Sequence, residues 1–170
     1  MFEIGEHVVH PGQGVCTVVG FEDDPSPMII LETKSGRAQT RLMYPVSQAD
    51  RLHPTVSREE AEELLDNYDE IECDPFTERN SSLEETHFKQ EIKKGAPETL
   101  RVAKTMRKRI HDAEAKNKKP SSYYARVLKE AHRRSVEELA VALDKSEDEV
   151  EEITERVVEH MADQAAPSAN

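Results

Sequence analysis

The sequence predicts an α+β fold, with a small curled β-barrel at the N-terminus and a compact all-α domain of about five helices after it. Short apolar runs, broken by turn-forming residues, fill roughly the first third of the chain. From Ser57 onward the apolar residues recur with helical spacing, and capping residues precede several of these segments. The composition is 36% hydrophobic and 34% charged, with no tryptophan, which is typical of small modules with thin cores.

The first two strands form a hairpin around a glycine-rich turn. A β-branched run at residues 7–9 breaks at Pro-Gly-Gln-Gly, residues 11–14, and an apolar run resumes at residues 15–20. Glycine adopts positive φ at little steric cost, so this spacing predicts a tight and irregular β-connection.

Two further strands extend the sheet. Residues 28–31 are continuously apolar, so we expect a third strand that is buried on both faces. Residues 38–43 return as a fourth strand, which Tyr44 and Pro45 end. Four or five short strands within about 50 residues fit a small SH3/Tudor-like β-barrel.

Capping signals mark the starts of the helices. Ser57 and Glu60 have the spacing of a capping box, and the same spacing relates Ser81 to Glu84. A serine at position 146, followed by three acidic residues, caps the last helix.

Two longer helices lie between these. One begins at Pro97, and its apolar stripe consists of Leu100, Ala103, Met106, Ile110 and Ala113. The next helix runs from about Ser122 to Leu143. Its apolar positions are Tyr124, Val127, Leu128, Ala131, Leu139 and Leu143. We therefore expect a β-domain at residues 1–55, a helical domain at residues 56–163 and a disordered tail at residues 164–170.

Several classes of protein and of site are not expected. Cys16 and Cys73 are the only cysteines, too few for a disulfide framework or a zinc site, so we expect free thiols. His7 and His10 stand three apart on a strand and point to opposite faces, which argues against a shared metal ion. No phosphate-binding glycine loop or catalytic triad spacing is present, so we expect no enzyme, no cofactor and no small-molecule substrate. With no long apolar run and no leader, a cytoplasmic protein without membrane contact is expected.

The charge distribution points to a partner. The chain carries a net charge of −12, yet residues 97–135 contain 12 Lys and Arg against 4 Asp and Glu. Arg101, Lys104 and Lys108 share one helix face, which is either an ordinary solvated face or a surface for phosphate contacts. The candidate DNA-binding residues are Arg101, Lys104, Arg107, Lys108, Arg109, Arg126, Lys129 and Arg133. No base-reading motif accompanies them.

Two stretches of sequence carry a family resemblance. The opening has the pattern Gly-x-x-Val-Val-x-Pro-x-x-Gly at residues 5–14, and Val-Glu-Glu-Leu-Ala at residues 136–140 leads to Glu-Val at residues 149–150. With these motifs the chain resembles the CarD/CdnL family of bacterial transcription regulators over residues 2–158. Its N-terminal part is also similar to the polymerase-interacting module of transcription-repair coupling factor.

The resemblance implies two partners. A Tudor-like domain would bind the β subunit of RNA polymerase by adding a strand to it, and the helical domain would contact promoter DNA, so that transcription initiation is modulated. The implied polymerase-binding residues are Arg37, Thr40, Arg41, Met43, Tyr44 and Pro45. Arg41 is the expected charged contact, and the alternative is that it only protects an exposed strand edge.

The DNA side departs from the family pattern. Family members commonly carry a tryptophan before the second helix, where it wedges at the edge of the melted promoter. The matching place here is Asn80-Ser81, and the nearest aromatic residue, Phe76, is expected to anchor the connecting segment to the core. A second interpretation therefore stays open, in which the chain is a protein-binding adaptor of RNA polymerase or another complex that makes no DNA contact.

Overall fold

The computed structural model describes residues 2–33 and 38–165, and it begins with a five-stranded antiparallel sheet. The strands are β1 (His7–His10), β2 (Gly14–Glu22), β3 (Met28–Thr33), β4 (Arg41–Pro45) and β5 (His53–Pro54). They lie in the order β4-β3-β2-β1-β5, and a 3-10 helix, Val46–Arg51, leads from β4 to β5. The β4 and β5 strands are therefore the two edges of the sheet.

One face of the sheet forms a core of its own. Val8, Val18, Ile29 and Leu31 are fully buried there and pack with neighbouring apolar side chains. Burial along β3 alternates, because Ile29 and Leu31 are buried while Met28 and Ile30 are partly exposed. The expectation that β3 is buried on both faces was wrong, since its second face is not fully covered.

Five α-helices follow, in close agreement with the capping signals. They are α1 (Arg58–Asp66), α2 (Ser81–Glu91), α3 (Glu98–Ala115), α4 (Ser122–Leu143) and α5 (Glu147–Ala165), with short 3-10 turns at Tyr68–Glu70 and Ile92–Lys94. The predicted capping box at Ser57 and Glu60 is formed, and Ser146 Oγ accepts the Glu149 N–H at 3.1 Å. Residues 164 and 165 of the predicted tail belong to α5, and the rest of that tail lies outside the described residues.

Two details of the helix prediction were wrong. Asn80 is the N-cap of α2, because its side-chain oxygen accepts the Ser82 N–H at 2.9 Å. Glu84 is buried instead of completing a capping box, and it accepts a hydrogen bond from the hydroxyl of Tyr123 at 2.6 Å. Tyr123, not Tyr124, is therefore the core tyrosine of α4.

The helices enclose two clusters along α4. Phe88, Val102, Met106 and Val127 belong to the cluster formed by α2, α3 and the first half of α4. The second half of α4 packs with α1 and α5 around Leu139. Because α4 contributes to both clusters, it is the central element of the helical part.

Helix α4 also contacts the sheet. The Arg134 guanidinium, buried in this contact, donates to the carbonyls of Pro11 and Gly12 at 3.0 and 2.9 Å. Gly14 has φ +85°, a conformation that side-chain-bearing residues rarely adopt, and a Cβ there would lie 3.2 Å from a carboxylate oxygen of Glu137, which is a tight contact. The Pro-Gly-Gln-Gly turn thus docks on α4, and we call this the sheet–α4 contact.

The same helix ties the end of the sheet domain to α3. The buried Glu138 carboxylate accepts the N–H of Val56 at 2.9 Å and the N–H of Ala96 at 3.0 Å. Burial raises the pKa of Glu138, and these two hydrogen bonds oppose that rise.

Candidate partner-binding surfaces

The free edge of β4 is the first candidate surface. In an antiparallel ladder, successive residues direct their N–H and C=O groups to alternate sides. The Thr33 N–H donates to the Thr40 carbonyl at 3.0 Å, and the Val46 N–H donates to the Pro27 carbonyl at 3.1 Å. Even-numbered residues of β4 therefore face β3. The N–H groups of the odd-numbered Arg41 and Met43 point away from the sheet, and we call this rim the β4 edge.

The side chains beside the β4 edge are partly apolar. Met43 is 54% exposed and pairs across the ladder with the partly exposed Ile30. Arg41 is exposed and its Nε lies 3.4 Å from the Glu32 carboxylate, a pair that contributes little to stability. The rim thus offers backbone donors that have no hydrogen-bond partner among the described residues, next to an apolar strip that a second strand could cover.

The other predicted polymerase-binding residues have different surroundings. Thr40 is exposed, and its N–H donates to the Thr33 hydroxyl at 3.2 Å. Tyr44 is buried in the sheet core and meets the His10 ring edge-on. Pro45 is half-buried at the end of β4, and Arg37 lies outside the described residues.

The predicted DNA-binding residues do not form one exposed patch. Lys104 directs its ammonium to the carbonyls of Tyr68, Asp69 and Ile71, at 2.9, 3.0 and 2.6 Å. It thereby fixes the start of residues 68–76, the stretch that lies against α3 and that we call the crossing segment.

Two arginines complete the attachment of the crossing segment. Arg107 donates to the Tyr68 hydroxyl at 3.1 Å, and its other terminal nitrogen lies 3.0 Å from His132 Nδ1. Arg109, only 16% exposed, donates to the Phe76 carbonyl and lies over the Phe88 ring. As predicted, Phe76 packs against the core cluster around Phe88.

The remaining five predicted cations are closer to solvent. Lys108 and Arg126 are exposed and form ion pairs with Asp112 and Glu85, and Arg133 pairs with Glu130 and Glu137 on its own helix. Arg101 and Lys129 are exposed, and neither forms a side-chain hydrogen bond or ion pair within the described part of the chain.

A group of cations that the sequence reading passed over lies at the turn between α3 and α4. Lys116, Lys118 and Lys119 are exposed there, and we call them the lysine turn. The hydrogen bond between Tyr123 and Glu84 brings the start of α4 beside the start of α2, so the lysine turn and the exposed Arg79 occupy the same end of the helical part. The signal is visible in the sequence as the pair Lys118-Lys119 next to Pro120, between the two longer predicted helices.

Titratable groups around the sheet–α4 contact are shifted by burial. The pKa of His10 is lowered, first by burial and then by Arg134, and its Nδ1 accepts the N–H groups of Gly12 and Gln13. Burial raises the pKa of the Cys16 thiol to about 11, and Cys16 and Cys73 are both free thiols. In the described residues, no group of three or more His, Cys, Asp or Glu side chains is arranged to hold a metal ion.

Within residues 2–33 and 38–165, none of the helices is both long enough and apolar enough to cross a membrane.

Comparison with known proteins agrees with the geometry of the sheet. Residues 2–56 match the family model of the CarD-like/TRCF RID domain, a Tudor-like module of protein interaction. No curated protein matches the chain. The α+β class with a Tudor-like N-terminal module is thus confirmed. Residues 2–56, which contain the whole five-stranded sheet, are similar to the CarD-like/TRCF RID domain, and this match supports a transcription-related protein that interacts with RNA polymerase.

Proposed function

We propose that this protein regulates transcription initiation in the cytoplasm by binding the β subunit of RNA polymerase through residues 1–55. The helical residues 56–163 then contact promoter DNA. The observation that carries the polymerase half is the β4 edge, where the N–H groups of Arg41 and Met43 point outward from a RID domain. A strand of the β subunit would pair with these groups, and its side chains would cover Met43 and Ile30. No catalytic step is part of this function.

A proline substitution tests the β4 edge directly. In Met43→Pro the outward N–H is lost, while the ladder bonds to β3 come from even-numbered residues and remain. We expect at least a roughly tenfold weaker affinity for purified β subunit, because strand addition depends on main-chain hydrogen bonds. The control is Met43→Ala, which keeps the N–H and is expected to lose less. Circular dichroism establishes that both variants are folded, and wild-type affinity in a folded Met43→Pro would reject this docking mode.

The proposed contact with promoter DNA is supported by the cations that are exposed in the structure. Arg101, Lys129 and the lysine turn have no ion pair within the described residues, so their charge is available to phosphate groups. Lys104, Arg107 and Arg109 would support this surface indirectly, because they hold the crossing segment on α3. Contact would be with the backbone of the duplex, since Asn80 and Ser81 provide no apolar wedge.

Salt-dependent binding tests the DNA half. Lys118→Glu/Lys119→Glu should weaken duplex binding about tenfold and flatten its dependence on salt. The matched control reverses two exposed charges elsewhere, Lys145→Glu/Arg156→Glu, and is expected to bind within about twofold of wild type. If both double variants lost the same affinity for duplex DNA, binding would depend only on the net charge of the protein.

A second function is favoured by one observation. Six of the eight predicted DNA-binding residues, all except Arg101 and Lys129, make side-chain hydrogen bonds or ion pairs within the described part of the chain. In the adaptor interpretation the helical part binds protein and not DNA. No measurable duplex affinity at low salt, together with intact binding to the β subunit, would select the adaptor.

A further inference from the structure

A groove on the face of α1 is not used by either proposed contact. It encloses about 530 Å³ between α1, the residues after it and the start of α3. Val56, Leu64 and Ile71 line it, and each is a partly buried residue that packs against the helical core while leaving some apolar surface open. An apolar concavity of this kind accommodates a side chain from another molecule.

The rim of the groove is acidic. Glu60 and Glu63 belong to α1, as does Leu64, and Glu70 precedes Ile71 in the residues after α1; all three glutamates line the groove. Glu60 also accepts the Ser57 N–H, so its position is fixed by the capping box. Glu63 and Glu70 are exposed, and no lysine or arginine lines the groove within the described residues. The three glutamates make the rim acidic, and the nearest cation among the hydrogen bonds of the lining residues is the Lys104 ammonium, which donates to the carbonyl of Ile71 at 2.6 Å.

We propose that this groove binds a short basic segment of a partner protein. An apolar side chain of that segment enters between α1 and the start of α3, and flanking lysines or arginines pair with Glu63 and Glu70. Charge complementarity selects this occupant, because an acidic rim repels nucleic acid and acidic peptides. The inference goes beyond the proposed function and does not depend on the β4 edge or on DNA contact.

The groove also lies at the junction of the sheet with the helices. Val56 lines it, and the N–H of Val56 is held by Glu138, which also holds the N–H of Ala96 at the start of α3. A bound segment would therefore contact both sides of this junction.

The test uses the full chain, labelled with ¹⁵N, and a synthetic peptide probe in which two leucines one helical turn apart are flanked by lysines. We expect saturable shifts of the amide signals of Leu64 and Ile71, and at least a roughly tenfold weaker affinity in Glu63→Lys/Glu70→Lys. The matched control reverses two exposed glutamates of α1 that do not line the groove, Glu59→Lys/Glu62→Lys, and is expected to bind within about threefold of wild type.

Several outcomes would overturn the proposal. These are equal loss of affinity in the two double variants, undiminished binding of a peptide with serine in place of leucine, and equal binding of a peptide with glutamate in place of lysine. Self-association of the chain that Glu63→Lys/Glu70→Lys abolishes would assign the groove to a second copy instead. Binding of the probe by Met43→Pro with wild-type affinity would support a site separate from the β4 edge.

Discussion

The β4 edge and the basic side of α3 direct their polar groups in opposite ways. At the β4 edge the backbone N–H groups of Arg41 and Met43 face outward, where a partner strand can accept hydrogen bonds from them. On α3, Lys104 and Arg109 turn inward to carbonyls of the crossing segment. The outward N–H groups of the β4 edge are therefore available to a partner strand, whereas Lys104 and Arg109 are occupied by contacts within the chain.

Among the cations that face inward, Arg134 is expected to contribute most to the free energy of unfolding. Arg134→Met should lower the free energy of unfolding by about 3 kcal/mol, because the carbonyls of Pro11 and Gly12 lose a charged donor inside the sheet–α4 contact. The control, Arg126→Met, removes an exposed arginine of the same helix and should cost under about 1 kcal/mol. Urea unfolding of both variants measures the difference, and equal costs would mean that the contact contributes nothing special.

On α3, replacement of a lysine that faces inward is expected to cost more stability than replacement of an exposed lysine, although less than replacement of Arg134. Lys104→Met should cost about 2 kcal/mol, because three carbonyls of residues 68–71 lose their shared donor. Lys108→Met, one turn later and exposed, should cost under about 1 kcal/mol. Hydrogen exchange should speed up in the crossing segment of Lys104→Met alone. Similar exchange in the two variants would contradict the anchoring role.

Local signals made most of the fold predictable. The capping serines at positions 57 and 146 set helix starts through neighbouring residues, and the alternation of apolar and turn residues located the strands. Tyr123 and Tyr124 could not be separated in this way, because adjacent positions both border the stripe of Val127, and contact with α2 decides which is buried.

The candidate surfaces were less predictable because they depend on distant contacts. Helical spacing placed Lys104 on a face, but its ammonium is satisfied by the crossing segment, more than thirty positions earlier in the chain. Arg134 likewise meets carbonyls more than a hundred and twenty positions away. The spacing of residues along the sequence predicts on which side of a helix a side chain lies. The group that this side chain binds is determined only when the helices and strands pack together.

The smallest expected effect is a pH dependence of the turn that carries the sheet–α4 contact. The pKa of His10 in the folded protein is lowered below its ordinary value of 6.5, first by burial and then by Arg134. Neutral His10 accepts the N–H groups of Gly12 and Gln13 through Nδ1, and a proton on Nδ1 removes that acceptor. The stabilisation is therefore present above pH 6.5 and is lost as the pH falls through the lowered pKa.

The variant His10→Asn isolates this contribution, because the asparagine side-chain oxygen can accept from the same turn without titrating. We expect wild type to lose about 1 kcal/mol more than His10→Asn when urea unfolding is repeated at falling pH through this window. All other titrating groups are common to both proteins, so the difference reports on His10. Parallel pH profiles would mean that the imidazole is not the acceptor that holds the turn against α4.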